Sequence, residues 1–111
     1  MTALIHRAEL AELIEADEVV LIDALPAAYY EREHLPGAIN LVEADVAERA
    51  ATLLPDKGAA IVTYCSNAAC GNSQAVANRL EALGYTNVRK YRDGIQDWVE
   101  GGNPTETGLP V

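Results

Sequence analysis

Two short runs, VVLIDA (Val19 to Ala24) and AAIVTY (Ala59 to Tyr64), are apolar at consecutive positions rather than at alternate ones. A strand points successive side chains to opposite faces, so a run of this kind is a strand buried on both. A sheet built on these two runs therefore has to be covered on both sides. The segments between them carry the spacing to do it. HRAELAELIEA sets Leu10, Leu13 and Ile14 at helical intervals. PAAYYEREH reads as a short helix opened by Pro26. EADVAERAATLL reads as a helix that stops at Pro55, SQAVANRLEALG as one ended by Gly84, and GIQDWVEGG as a short final helix. LPGAIN is a turn leading into a short strand, NVRKY a further short strand, and the residues from about 103 to 111 a tail. Strands alternating with helices predict an α/β fold: one domain over 1–111, with a mainly parallel central sheet and helices on both faces.

The size agrees with one domain. The chain has 111 residues, 50% of them hydrophobic, enough for a core without staples or metals. It has no Phe, so that core is mostly Leu, Ile, Val and Ala. The net charge of −9 is one-sided: residues 1–56 carry twelve acids and three bases, and residues 57–111 carry five of each. Without a basic patch, nucleic acid is not an expected partner. No apolar run reaches the ~18–20 residues of a membrane span, so no membrane association is expected. The N-terminus, MTALIHRAEL, is too acidic and interrupted for a signal peptide, and a cytoplasmic location is expected. In that compartment a cysteine pair points to catalysis, redox chemistry or metal binding before it points to a structural disulfide.

Both cysteines lie in one stretch, IVTYCSNAACGNSQAVANRL. Cys65 ends the second buried run, and in parallel α/β sheets ligands gather at the carboxyl ends of strands. The loop that follows (Ser66, Asn67, Ala68, Ala69, Cys70, Gly71, Asn72) is small and polar, and a helix is expected from Ser73. No charged side chain occurs from Cys65 to Asn78. If the loop curls above the helix, its N–H groups point at one sulfur and form an anion cradle, suited to a thiolate or a persulfide. On that reading Cys65 is the more acidic thiol. The plainer alternative is an inert, buried cysteine. Cys70 reads either as a second, resolving thiol or as a small loop residue. No metal or other cofactor is expected, since Cys-x4-Cys in a tight loop is poor zinc spacing and His6 and His34 are distant in sequence.

Several segments together resemble the rhodanese-like sulfurtransferase family, over nearly the whole chain. VVLIDA is similar to the family's first strand, with Asp23 as its terminal acid. EHLPGAIN is similar to the signature GHIPGAIN. IVTYC is similar to the strand before the family's catalytic cysteine, and LEALGYTNVRKYRDGIQDWVEGGNP to its closing segment, with Gly94 and Trp98 in their usual places. The resemblance implies that Cys65 is catalytic: its thiolate takes the outer sulfur of a donor, becomes a persulfide, and passes that sulfur to a thiol or protein acceptor. This chain departs from the family by having no arginine in the loop, Leu25 where the family's first strand has arginine, and a longer loop that contains Cys70. A persulfide or polysulfide is therefore expected as small-molecule donor ahead of doubly charged thiosulfate. Asp23, His34 and Arg92 are candidate pocket residues. For His34 a hydrogen-bonding role is expected over acid–base chemistry, for Trp98 core packing, and Arg92 is either the replacement cation or a surface residue. The competing functions are a thiol–disulfide protein or sensor cycling Cys65 and Cys70, and a non-catalytic binding module.

Overall fold

The computed structural model describes residues 2–109. Five strands, β1 (Ala3–Leu4), β2 (Val20–Asp23), β3 (Ile39–Asn40), β4 (Ile61–Tyr64) and β5 (Val88–Tyr91), form one sheet in the order β1-β5-β4-β2-β3. Every neighbouring pair is parallel. The two unbroken apolar runs are β2 and β4. They lie side by side at the centre, in register from Val20 with Ile61 to Asp23 with Tyr64.

Among the described residues, five α-helices cover the sheet: α1 (Arg7–Glu15), α2 (Ala27–Arg32), α3 (Val46–Leu53), α4 (Asn72–Ala82) and α5 (Gly94–Glu100). Alternate strand residues enter two separate cores. On one face Ile22, Ile61 and Cys65 meet Val46 and Ala50 of α3 and Val76, Ala77 and Leu80 of α4. On the other, Leu21, Val62, Tyr64 and Tyr91 meet Leu10 of α1, Tyr30 of α2 and Trp98 of α5. Burying each Leu or Ile side chain contributes about 1.5–3 kcal/mol. The expected α/β architecture with helices on both faces is therefore present.

The details differ in three places. β1 carries no strand signal, because two exposed residues are too few to show a pattern; its pairing with β5 defines it. The helix expected from residue 43 opens as a 3₁₀ turn, Glu43–Asp45, before α3. The expected tail is anchored over its described residues. Trp98 Nε1–H donates to the Pro104 carbonyl at 2.7 Å. His34 and Glu106 form an antiparallel bridge, and the Gly37 N–H donates to Glu106 Oε1 at 2.9 Å. Residues 110 and 111 lie outside the described residues. No helix among the described residues is long and apolar enough to cross a membrane.

Candidate active site

At the carboxyl end of β4, neighbouring side chains part company. Tyr64 joins the α1/α2/α5 core and Cys65 joins the α3/α4 core, where it is 1% exposed. The chain then climbs through Ser66 to Gly71 and re-enters the fold as α4, one residue earlier than the sequence suggests.

Both ends of this loop are fixed. The start of α5 holds one end: the Ile95 N–H donates to the Cys65 carbonyl at 2.9 Å and the Gln96 N–H to the Ser66 carbonyl at 3.0 Å. These are free N–H groups of a helix's first turn, used to grip the loop. Gly94 lets the two segments touch. Its φ is +73°, and a Cβ there would stand 2.6 Å from the Cys65 oxygen and from the Ser66 carbonyl carbon and oxygen. At the other end, Asn72 Nδ2 donates to the Ala24 carbonyl at 3.3 Å and Thr63 Oγ1 to the Ser73 carbonyl at 3.0 Å.

The loop N–H groups do not converge on Cys65 as the sequence suggests. Asn67 uses two of them, its side-chain oxygen accepting from Ala69 N–H at 3.0 Å and its carbonyl from Cys70 N–H at 3.1 Å. Cys65 Sγ lies 3.4 Å from Ser73 Oγ and 3.5 Å from the Cys70 carbonyl. The Cys70 side chain packs against the same cluster as Cys65.

The acidity order reverses accordingly. Burial pushes the Cys65 thiol up, and its contact with Cys70 adds to this against the opposing Ser73 groups. Cys70 is partly exposed; burial also pushes it up, but the Cys65 S–H and the Asn72 and Ser66 groups together bring it below the ordinary thiol value. Alkylation near neutral pH is therefore expected at Cys70 before Cys65. The Cys70 rate should level off at lower pH, while the Cys65 rate keeps rising into the alkaline range. Peptide mapping against pH checks this, and Cys65 labelled first would contradict it.

Two depressions adjoin the loop. One, of about 190 Å³, is lined by Leu25, Tyr29, Arg32, Glu33, Ser66 and Ile95. The other, of about 300 Å³, is lined by Glu33, Ser66, Ile95, Gln96, Val99 and Glu100. They meet at Ser66 and Ile95, beside the Cys65–Ser66 peptide. A larger cleft of about 490 Å³ reaches the site at Asn72, on the other side of the loop, and neither cysteine lines it or either depression. Arg32, whose guanidinium lies 5.8 Å from the Tyr29 ring centroid, brings a cation to the first depression. Arg92 is exposed in the β5–α5 turn and lines neither depression.

Asp23 and His34 lie away from the thiols. Asp23 Oδ1 accepts from the Leu25 N–H at 2.8 Å and Oδ2 from the Tyr64 hydroxyl at 2.8 Å, and that hydroxyl accepts from the Leu35 N–H at 3.0 Å. This network shares Tyr64's side of the sheet, opposite Cys65. Burial pushes the Asp23 carboxyl up, against the pull of the Leu25 N–H and the Tyr64 hydroxyl. His34 stacks on Tyr30 at 3.8 Å, and its Nδ1–H donates to the Tyr30 carbonyl at 2.7 Å, the hydrogen-bonding role expected of it. Asp23 and His34 are thus corrected from pocket candidates to supports of the opposite core. Tyr64→Phe, which strands the Leu35 N–H and one Asp23 oxygen, is expected to cost about 1–3 kcal/mol. The Tyr64 bond holds the Asp23 pKa down. Its loss should therefore weigh most above the Asp23 pKa, where the carboxylate is charged, and less below it, where the carboxyl is protonated. Denaturant melts at both pH values check this, with chemistry at Cys65 unchanged.

The sequence reading missed the grip of α5 on the loop and the position of Arg32. The first was legible in the glycine that opens the last helix, Gly94. The second had no local signal, because α2 is brought to the loop by the sheet order alone.

The family model described as "Rhodanese-like domain" matches residues 6–101. The HTH-type transcriptional regulator Rv0324 of Mycobacterium tuberculosis is 38% identical over 107 residues, 96% of this chain and 46% of that one, so this chain spans less than half of that relative. The thiosulfate sulfurtransferase PspE of Escherichia coli is 40% identical over 76 residues, 68% of this chain and 70% of that one. Among solved structures, the BH2092 protein of Bacillus halodurans superposes with a TM-score of 0.86 over 96% of this chain and 77% of that one; at 24% identity this is a likeness of fold.

Proposed function

Since this chain belongs to the rhodanese-like domain family, we propose that it is a sulfurtransferase carrying sulfane sulfur on Cys65. The observation that supports the reading best is the position of that thiol, at the carboxyl end of the central strand β4 beneath an uncharged loop gripped by α5. In the closed loop Cys65 is protonated and covered. When the loop lifts Cys70 away, the neighbouring sulfur leaves, and the Ser73 N–H and hydroxyl remain to hold a Cys65 thiolate. That thiolate attacks the outer sulfur of R–S–SH. The S–S bond of the donor breaks, R–S⁻ departs, and Cys65–S–SH remains. An acceptor thiol then attacks the outer sulfur and restores Cys65.

The surroundings favour a small persulfide or polysulfide over thiosulfate. Among the described residues Arg32 is the one cation lining the two depressions, while Glu33 lines both and Glu100 the second. A dianion gains little there, and what it gains is screened by salt. Sulfur transfer to a thiol acceptor is expected to be at least about tenfold more efficient, as kcat/KM, from glutathione persulfide than from thiosulfate. Arg32→Ala should lower thiosulfate use selectively. Equal efficiency would overturn the donor preference, and no transfer from either donor would overturn the function. The acceptor is a thiol, free or on a protein, and the setting is cytoplasmic.

A second reading draws on the relative named as a transcriptional regulator. In it the same thiol pair serves as a sulfur- or redox-sensing module of a larger protein. Persulfidation without turnover would favour it.

A further inference from the structure

The loop holds more than one nucleophile needs. Transfer through Cys65 requires a single thiol, yet the covering loop carries a second free thiol, Cys70, packed against the same core cluster as Cys65. The Cys70 carbonyl stands 3.5 Å from Cys65 Sγ, so the loop folds residue 70 back onto the strand end rather than away from it. Cys70 is also the more exposed of the two, while Cys65 is sealed below it. Closing the loop over a loaded Cys65 thus returns an accessible thiol to the persulfide.

We propose that the site has a second activity, release of hydrosulfide, in which Cys70 resolves the Cys65 persulfide into a Cys65–Cys70 disulfide. This rests on Cys65 carrying the persulfide. The Cys70 thiolate attacks Cys65 Sγ, the inner sulfur. The bond between the two persulfide sulfurs breaks, its electron pair leaves with the outer sulfur as HS⁻, and a new S–S bond joins the two cysteines. The sulfane sulfur is reduced to sulfide and the two thiols are oxidised to the disulfide. A cellular dithiol reductant then opens that disulfide by exchange, taking the oxidation onto itself and completing the cycle. Whether sulfur is handed on or released is decided by whether an acceptor reaches Cys65–S–SH before the loop closes.

The test is anaerobic. Wild type, Cys70→Ser and Cys70→Ala are each given one equivalent of glutathione persulfide, freed of glutathione, and left without acceptor. Hydrosulfide and intact mass are followed. The expected result is about one equivalent of hydrosulfide from wild type, with a mass lower by two hydrogens that a dithiol restores. Both variants should keep one added sulfur and release hydrosulfide at least about tenfold more slowly. Wild type that keeps its added sulfur and releases hydrosulfide as slowly as the variants would overturn the resolving role and leave the Cys65 persulfide standing. No added sulfur and no hydrosulfide in any of the three would overturn both.

Discussion

Cys65→Ser is expected to lower sulfur transfer to a thiol acceptor by at least about a hundredfold, with the folded state retained. A serine hydroxyl is similar in size to the thiol and can keep the contacts with Ser73 Oγ and the Cys70 carbonyl, now at 3.4 and 3.5 Å. It does not ionise near neutral pH and forms no persulfide. Cys70 remains as a thiol, but it sits on the loop rather than at the strand end, and any residual rate belongs to it. Steady-state rates from glutathione persulfide, with a thermal melt of the same sample, check the prediction. A variant that folds and turns over like wild type would show that Cys65 is not the carrier.

Gly94→Ala is expected to do comparable damage without touching a reactive atom. The new methyl would meet Cys65 and Ser66 backbone at 2.6 Å, and backbone cannot swing aside as a side-chain end can. The φ of +73° adds strain of its own for a residue with a Cβ. Relief requires α5 to back away, which breaks the Ile95 and Gln96 hydrogen bonds to the Cys65 and Ser66 carbonyls. The cost is about 2–4 kcal/mol of stability. The transfer rate should also fall by about tenfold or more in the fraction that stays folded, since the loop loses its grip at Cys65. Chemical denaturation and activity measured on one preparation separate the two effects. Wild-type values for both would contradict the account of the α5 contact.

Residues that face one core along one strand were the legible ones. β2 and β4 announce themselves because a central parallel strand has no solvent face, so consecutive positions are apolar, with Asp23 and Thr63 the buried polar exceptions. The covering helices follow from their spacing, and Cys65 follows from standing at the end of such a strand. What a sequence does not carry is the direction of a side chain after the strand ends. Asp23 and Tyr64 look like neighbours of Cys65, yet the two-residue period sends them to the opposite face. The cradle failed for a related reason: Asn67 reads only as one residue of a small, polar loop, but it takes the Ala69 and Cys70 N–H groups away from the sulfur. Arg32 was invisible because its distance from the loop is set by the order β4-β2-β3, a long-range fact.

The central claim is that Cys65 holds the transferred sulfur, and the most direct measurement uses Cys70→Ser, in which only one thiol remains. The protein is given one equivalent of glutathione persulfide, and its peptides are weighed before and after a thiol acceptor is added. The account predicts one added sulfur on the peptide containing Cys65, gone once the acceptor is present. A folded protein whose Cys65 stays unmodified, or whose added sulfur is not taken by the acceptor, would contradict it.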